Sequence, residues 1–111
     1  MKVWVDANPK EICYVTETKV TRIEPLPKRL LTSYTNNEAE YLAVIMALED
    51  LENVSEILSD SELVIKQLRH EYSIKADHLR PLAMKVWDLS KGKVKFIWVP
   101  RKENKAGKVL G

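Results

Sequence analysis

The spacing of apolar residues divides the chain into strands and helices. Segments rich in β-branched and aromatic residues alternate with turn signals such as Asn8-Pro9, and they predict strands. Apolar residues from Tyr41 to Leu51 recur at helical spacing instead. The predicted elements are strands over 2–6, 12–16 and 19–24, a helix after residue 35, a strand over 54–59, helices after residue 59 and over 77–89, and a strand over 94–99.

The order of these elements, β-β-β-α-β-α-α-β followed by a basic tail, predicts a mixed α/β fold. The first helix has a clear start signal, because Thr35 and Glu38 have the spacing of a capping box. No repeat, low-complexity tract or linker interrupts the pattern. We therefore expect a single domain over residues 1–111.

Composition narrows the class of protein. Hydrophobic residues make up 45% of the chain and charged residues 31%, which is typical of a globular protein with a core. Cys13 is the only cysteine, so no internal disulfide can form and a reducing compartment is expected. No apolar run reaches the ~18 residues of a membrane span, and Asp6 interrupts the N-terminal apolar stretch where a signal peptide would continue. These features predict a cytoplasmic protein without a membrane association.

Charge is distributed unevenly along the chain. Residues 1–60 carry six Lys and Arg against eleven Asp and Glu, a net charge of −5, and residues 61–111 carry twelve against five, a net charge of +7. Such a division is compatible with a basic surface for a polyanion beside an acidic cluster that holds cations. The uneven charge is also compatible with ordinary solvated side chains, and composition alone favours that interpretation.

Three acids stand at positions where chemistry is common. Asp6 and Asp60 end predicted strands, and ligands in α/β sheets usually bind at the carboxyl ends of strands. Glu40 lies near the start of the first helix, on the face that it shares with Val44 and Ala47. Three converging carboxylates would repel one another unless cations lie between them, and magnesium prefers such oxygen ligands.

Each acid also has a purely structural interpretation, which the pattern alone favours. Asp60 could cap the second helix, Glu40 could complement the helix dipole, and Asp6 could begin a turn. No partner residues at ligand spacing accompany His70 or His78, so we expect surface histidines rather than a zinc site. The three tryptophans fall within the strand and helix patterns, which favours packing in the core over base stacking; they are Trp4, Trp87 and Trp98.

Taken together, the motifs resemble ribonuclease H of type 1, particularly its compact archaeal-like and phage-like members. The segments that carry the likeness span nearly the whole chain and follow the order of that family. They are Val3-Trp4-Val5-Asp6-Ala7-Asn8-Pro9, Thr35-Asn36-Asn37-Glu38-Ala39-Glu40-Tyr41-Leu42-Ala43, Leu58-Ser59-Asp60-Ser61-Glu62-Leu63-Val64 and Trp98-Val99-Pro100-Arg101-Lys102-Glu103-Asn104-Lys105. The resemblance implies a ribonuclease H-like fold, with a five-stranded mixed sheet of three antiparallel N-terminal strands and two further strands, flanked by helices.

The resemblance assigns the catalytic and metal-binding acids one by one. Asp6 matches the aspartate of the first strand, Glu40 the glutamate of the first helix, and Asp60 the aspartate of the fourth strand. The fourth acid of the family would stand four residues after Asn104, where this chain has Lys108. The chain thus departs from the family at one metal ligand, and the lysine could impair catalysis.

The implied reaction is hydrolysis of the RNA strand of an RNA/DNA hybrid by two Mg²⁺ or Mn²⁺ ions about 4 Å apart. One ion would activate the attacking water and the other would stabilise the leaving 3′ oxygen, with Asp6 bridging both. The alternative is a catalytically silent module that binds hybrids or duplexes. We expect a monomer without a small-molecule cofactor. The resemblance places further residues at the hybrid's minor groove or phosphates: Asn8, Asn36, Asn37, Glu62, Arg101 and Lys102.

Overall fold

A five-stranded mixed sheet organises the structure, a computed structural model that describes residues 1–111. No helix in it combines the length and apolar character needed to cross a membrane. The elements are β1 (Lys2–Ala7), β2 (Glu11–Thr16), β3 (Thr21–Pro25), α1 (Asn36–Asp50), β4 (Glu56–Ser59), α2 (Glu62–Leu68), α3 (Arg80–Ser90), β5 (Lys95–Trp98), a 3₁₀ turn (Arg101–Glu103) and α4 (Lys105–Leu110).

The strands are arranged in the order β3-β2-β1-β4-β5. Strand β2 runs antiparallel to both β1 and β3, whereas β4 is parallel to β1 and to β5. Trp4 is paired with Leu58 across the central parallel strands, and Asp6 and Asp60 each follow two residues later. The parallel pairing therefore brings these two acids to one edge of the sheet. The predicted fold class is confirmed.

The two faces of the sheet are covered unequally. Helices α1, α2 and α3 cover one face, over a core that includes Val3, Val5 and Ile57. The other face carries a small apolar cluster, to which α4 contributes Ala106. The buried members of this cluster are Trp4, Cys13, Val15, Leu58 and Ala106. The alternation of side chains along β1 thus supplies both cores from a single central strand.

Two expectations about local structure were wrong or incomplete. The basic tail folds into the 3₁₀ turn and α4, because Asn104 caps the helix and Ala106 finds an apolar contact. Helix α3 begins at Arg80 rather than Asp77, since the ring of Pro81 would clash with the carbonyl of Asp77 if the helix started earlier.

The aromatic and histidine expectations had different outcomes. Trp4 is buried in the core as predicted, but Trp98 is 44% exposed, because its indole lies at the sheet edge and donates a hydrogen bond to the carbonyl of Asp60 (3.2 Å). Trp87 is half-buried and stacks on His70 with ring centroids 4.5 Å apart. His70 and His78 both lie on the surface, as expected.

The capping box at the start of α1 is confirmed and extended by an arginine. Thr35 Oγ1 accepts from the Glu38 amide (3.1 Å), and Glu38 Oε1 accepts from the Thr35 amide (3.0 Å). Arg29 donates to both carboxylate oxygens of Glu38, at 3.2 and 2.6 Å. Hydrogen bonding from Arg29 lowers the pKa of the buried Glu38 carboxyl to about 2. Glu38 is therefore committed to structure, and Glu40 is free for another role.

We predict that Glu38→Gln lowers the free energy of unfolding at pH 7 by ~1–3 kcal/mol, because it removes a contact of the helix cap and the charge that pairs with Arg29. Because the folded-state pKa of Glu38 lies below 4.5, its contribution is present above that pH and is lost as the pH falls towards 2. Urea unfolding at pH 7 and pH 3 measures both effects. The control is Glu49→Gln, which changes another glutamate of α1. It removes an exposed ion pair with Lys85 of α3 (3.4 Å) and should change the free energy of unfolding by less than ~0.5 kcal/mol.

Candidate active site

Three carboxylates meet where β1 and β4 end beside α1. Asp6 lies near the end of β1, Asp60 directly follows β4, and Glu40 lies on the second turn of α1. One carboxylate oxygen from each residue lies within 4.8 Å of the other two. The structure thus brings together the three acids singled out in the sequence, from positions as distant as 6 and 60.

The cluster is electrostatically unfavourable in the absence of a cation. Burial, followed by the charge of Asp60, raises the pKa of Asp6 above its usual range. Burial, followed by the charges of Asp6 and Asp60, raises the pKa of Glu40 to about 9. Full charges ~5 Å apart repel by roughly 3 kcal/mol per pair at an effective dielectric of ~20. A proton or a cation is therefore needed to neutralise the cluster.

The donor atoms fit a hard divalent cation. Asp6 Oδ1 and Glu40 Oε2 are buried and have no hydrogen-bond partner. Buried polar atoms are usually partnered, so two orphaned oxygens in one cluster indicate a missing ligand. Magnesium and manganese prefer carboxylate oxygens of this kind. Asp6, Glu40 and Asp60 are the residues that could hold such an ion.

Asp60 has a neutral hydrogen-bond donor and a positively charged neighbour. Its Oδ2 accepts a hydrogen bond from Asn104 Nδ2 (3.1 Å) and lies 3.9 Å from Arg101 Nη1. The sequence interpretation used Asn104 only as a reference position for the fourth acid, and it gave Trp98 no place at the site. An asparagine two residues before a small apolar residue is a helix-capping signal that could have drawn attention to Asn104.

The residues predicted to contact substrate lie at several places, and their role stays a prediction. Asn8 Oδ1 accepts from the amides of Lys10 (2.8 Å) and Glu11 (2.7 Å), so it shapes the β1–β2 turn. Asn36 is exposed and Asn37 half-buried in the first turn of α1. Glu62 is exposed and lies 3.3 Å from the ammonium of Lys66.

The remaining predicted positions follow β5. Arg101 and Lys102 are exposed in the 3₁₀ turn, and only Arg101 lies near an acid of the cluster. Lys108 is an exposed residue of α4 that forms no ion pair within 4 Å. Its neighbour Gly107 lies directly against the cluster, because a methyl group built on its Cα would be 3.3 Å from Asp6 Oδ2.

Comparison of the sequence with models of known protein families identifies the class of protein that has this sheet and these acids. The model of the family described as "Reverse transcriptase-like" matches residues 26–110, and the chain belongs to this family. The resemblance to ribonuclease H of type 1 that the motifs carry is confirmed.

Solved ribonuclease H structures share the fold. The N-terminal RNase H domain of rv2228c from Mycobacterium tuberculosis is 25% identical, with a TM-score of 0.73, over 96% of this chain and 87% of that one. RNase H1 from the archaeon Halobacterium salinarum is 24% identical, with a TM-score of 0.78, over 98% and 92%. LC11-RNase H1, solved in complex with an RNA/DNA hybrid, is 22% identical, with a TM-score of 0.69, over 99% of both chains.

We predict that the metal-free protein loses stability as the pH rises from about 4.5 to about 9. The folded-state pKa of Glu40 lies above its value of 4.5 in the unfolded chain, so over this range the folded state keeps a proton that the unfolded state releases. In EDTA, the wild type should lose up to ~1.4 kcal/mol per pH unit relative to Glu40→Gln, which cannot ionise. Chemical unfolding at pH 5, 7 and 8.5 tests this. Parallel pH profiles for the two proteins would show that Glu40 ionises normally.

Proposed function

We propose that the protein is a divalent-metal-dependent nuclease that cleaves the RNA strand of RNA/DNA hybrids. One observation carries the proposal: three carboxylates converge within 4.8 Å, and two of their oxygens are buried without partners. Membership of the family and the ribonuclease H fold support the same reaction class.

The three acids of the cluster would together form the metal-binding site. Asp6, Glu40 and Asp60 would hold the cations through their carboxylate oxygens. When bound, a pair of Mg²⁺ or Mn²⁺ ions supplies an activated water and charge stabilisation at the leaving oxygen. Burial of Asp6 keeps its carboxylate in a low-dielectric environment, where its attraction for a cation is stronger than in water. The partial exposure of Asp60, 13% for its side chain, leaves the cluster open to substrate.

Charges and amides around the cluster suit a hybrid duplex. Asn36 and Asn37 are the first two residues of α1, and Glu40 follows Asn37 by three residues. These amides therefore lie at the same end of the helix as a proposed metal ligand. We propose that they read the minor groove, where 2′-hydroxyls distinguish RNA from DNA. Arg101 and Lys102 would contact phosphates on the other side of Asp60 without reading sequence. That LC11-RNase H1 binds such a hybrid with the same fold supports this substrate class.

One observation favours the second candidate, a silent hybrid-binding module. The motif resemblance puts Lys108 of α4 at the position of the family's fourth acid, and the cluster contains three carboxylates. A lysine near the cluster would weaken cation binding and could leave a protein that binds hybrids without cleaving them. Cleavage assays separate the two candidates directly.

The enzyme hypothesis predicts cleavage of a labelled RNA/DNA hybrid with Mg²⁺ or Mn²⁺, none in EDTA, and little cleavage of single-stranded RNA or duplex DNA. Asp6→Asn, Glu40→Gln and Asp60→Asn should each reduce the rate by at least ~100-fold, because each removes a metal ligand. Glu38→Gln is the matched control, since it neutralises an acid two positions from Glu40 that is committed to the helix cap. If Glu40→Gln remains active and Glu38→Gln does not, Glu38 is the metal ligand and Glu40 is not. If the wild type binds hybrids without cleaving them, the protein is the silent binding module.

The departure at Lys108 yields a separate prediction about metal dependence. Lys108→Asp removes a positive charge and adds a negative one, so its effect on a dication should be about twice that of Lys108→Ala. The Mg²⁺ concentration for half-maximal cleavage should be lowest for Lys108→Asp, intermediate for Lys108→Ala and highest for the wild type. Loss of activity in Lys108→Ala would instead show that the lysine assists, as a phosphate-binding cation. Three coinciding curves would place Lys108 outside the site.

A further inference from the structure

The carboxamide of Asn104 is one of the most completely buried polar groups in the protein. The residue has no exposed surface, although it lies between an exposed 3₁₀ turn and the first residue of α4. A buried carboxamide must satisfy two donor hydrogens and two acceptor lone pairs. In this structure all four are used.

The two donor hydrogens of the carboxamide bond to groups at the ends of β1 and β4. Asn104 Nδ2 donates to the carbonyl of Val5 (2.9 Å), the residue directly before Asp6, and to Asp60 Oδ2 (3.1 Å). One amide nitrogen therefore connects the end of β1 to the carboxylate that follows β4. Because Asp60 Oδ2 is held by this bond, the orientation of the Asp60 carboxylate is fixed relative to Asp6.

The acceptor oxygen of the same carboxamide holds α4 in place. Asn104 Oδ1 accepts from the amides of Ala106 (3.1 Å) and Gly107 (3.4 Å). These two residues are the buried residues of α4. Ala106 belongs to the apolar cluster, and Gly107 lies against Asp6 Oδ2. The backbone of α4 thus forms a wall of the acidic cluster at a position that Asn104 determines.

From these contacts we infer that Asn104 is a positioning residue for cation binding: it orients Asp60 and holds α4 against Asp6. The inference rests on the proposed metal-binding role of the acidic cluster. Groups that hydrogen-bond to ligating carboxylates typically change metal affinity by 10–100-fold when they are removed. Arg101 cannot substitute, since its guanidinium is exposed and lies 3.9 Å from Asp60, beyond hydrogen-bonding distance.

The test compares Mn²⁺ binding to the wild type, Asn104→Ser and Trp87→Phe, measured by calorimetry without nucleic acid. Serine can still cap α4 but is too short to reach Asp60, so this variant removes mainly the positioning contacts. Trp87→Phe is the control for a general loss of stability. It removes one hydrogen bond of α3, from the Trp87 indole to the Leu68 carbonyl (3.0 Å), and touches none of the three acids. Thermal unfolding establishes that each variant is folded at the temperature of the titration.

We expect the Kd for Mn²⁺ to rise at least tenfold in Asn104→Ser and to change less than twofold in Trp87→Phe. Hybrid cleavage by Asn104→Ser should recover at raised Mn²⁺, which a generally damaged fold would not show. A folded Asn104→Ser that binds Mn²⁺ within twofold of the wild type overturns the inference and leaves the proposed function intact. A wild type that binds no Mn²⁺ overturns the metal-dependent function itself.

A measurement on the wild type keeps the inference testable if Asn104→Ser does not fold. The side-chain ¹H–¹⁵N signals of Asn104 should shift during a titration with diamagnetic Mg²⁺, with the same midpoint as the carboxylate carbon of Asp60. The side-chain signals of Gln67, which accepts from the Tyr41 hydroxyl (2.8 Å) in the main core, should stay unchanged. Asn104 signals that do not respond while Asp60 does would contradict the inference.

Discussion

Mutual repulsion among Asp6, Glu40 and Asp60 is the main energetic cost that this fold must overcome at its site. Carboxylates this close cannot all be charged in a partly buried site without a compensating cation. The fold brings them together nevertheless, because each is attached to an element whose packing is stabilised independently. Burial of Val3 and Val5 beside Asp6, of Ile57 before Asp60, and of the apolar face of α1 contributes far more than the repulsion costs.

The acidic residues near the site have clearly separated functions. Glu38 and Glu40 are two positions apart on α1, yet Arg29 holds Glu38 ionised, with a pKa of about 2, while burial drives the pKa of Glu40 to about 9. The difference comes from environment alone, since Glu38 has a guanidinium partner and Glu40 faces two other acids. Opposite shifts of neighbouring carboxyls are typical of sites at which one acid serves structure and another serves chemistry.

Much of the fold could be predicted from the sequence because its signals are local. Alternating and helical spacings indicated the strands and α1, and the Thr35–Glu38 capping box separated the structural glutamate from Glu40. The remainder depends on contacts between distant residues. The hydrogen bond from Asn104 to Val5 joins positions 99 residues apart, and α4 is a six-residue helix whose stability comes from docking rather than from its own sequence. Local patterns indicate a helix cap at Asn104, but they do not reveal which distant groups Asn104 contacts or where α4 docks.

The same long-range hydrogen bond determines when the site can exist during protein synthesis. The chain emerges from the ribosome N-terminus first, so Asp6, Glu40 and Asp60 are available well before Asn104. Strand β1 must also wait for residues 56–58 before its parallel neighbour can form. The complete site, with Asn104 bonded to Asp60 and Gly107 against Asp6, can therefore form only after these C-terminal residues have left the ribosome.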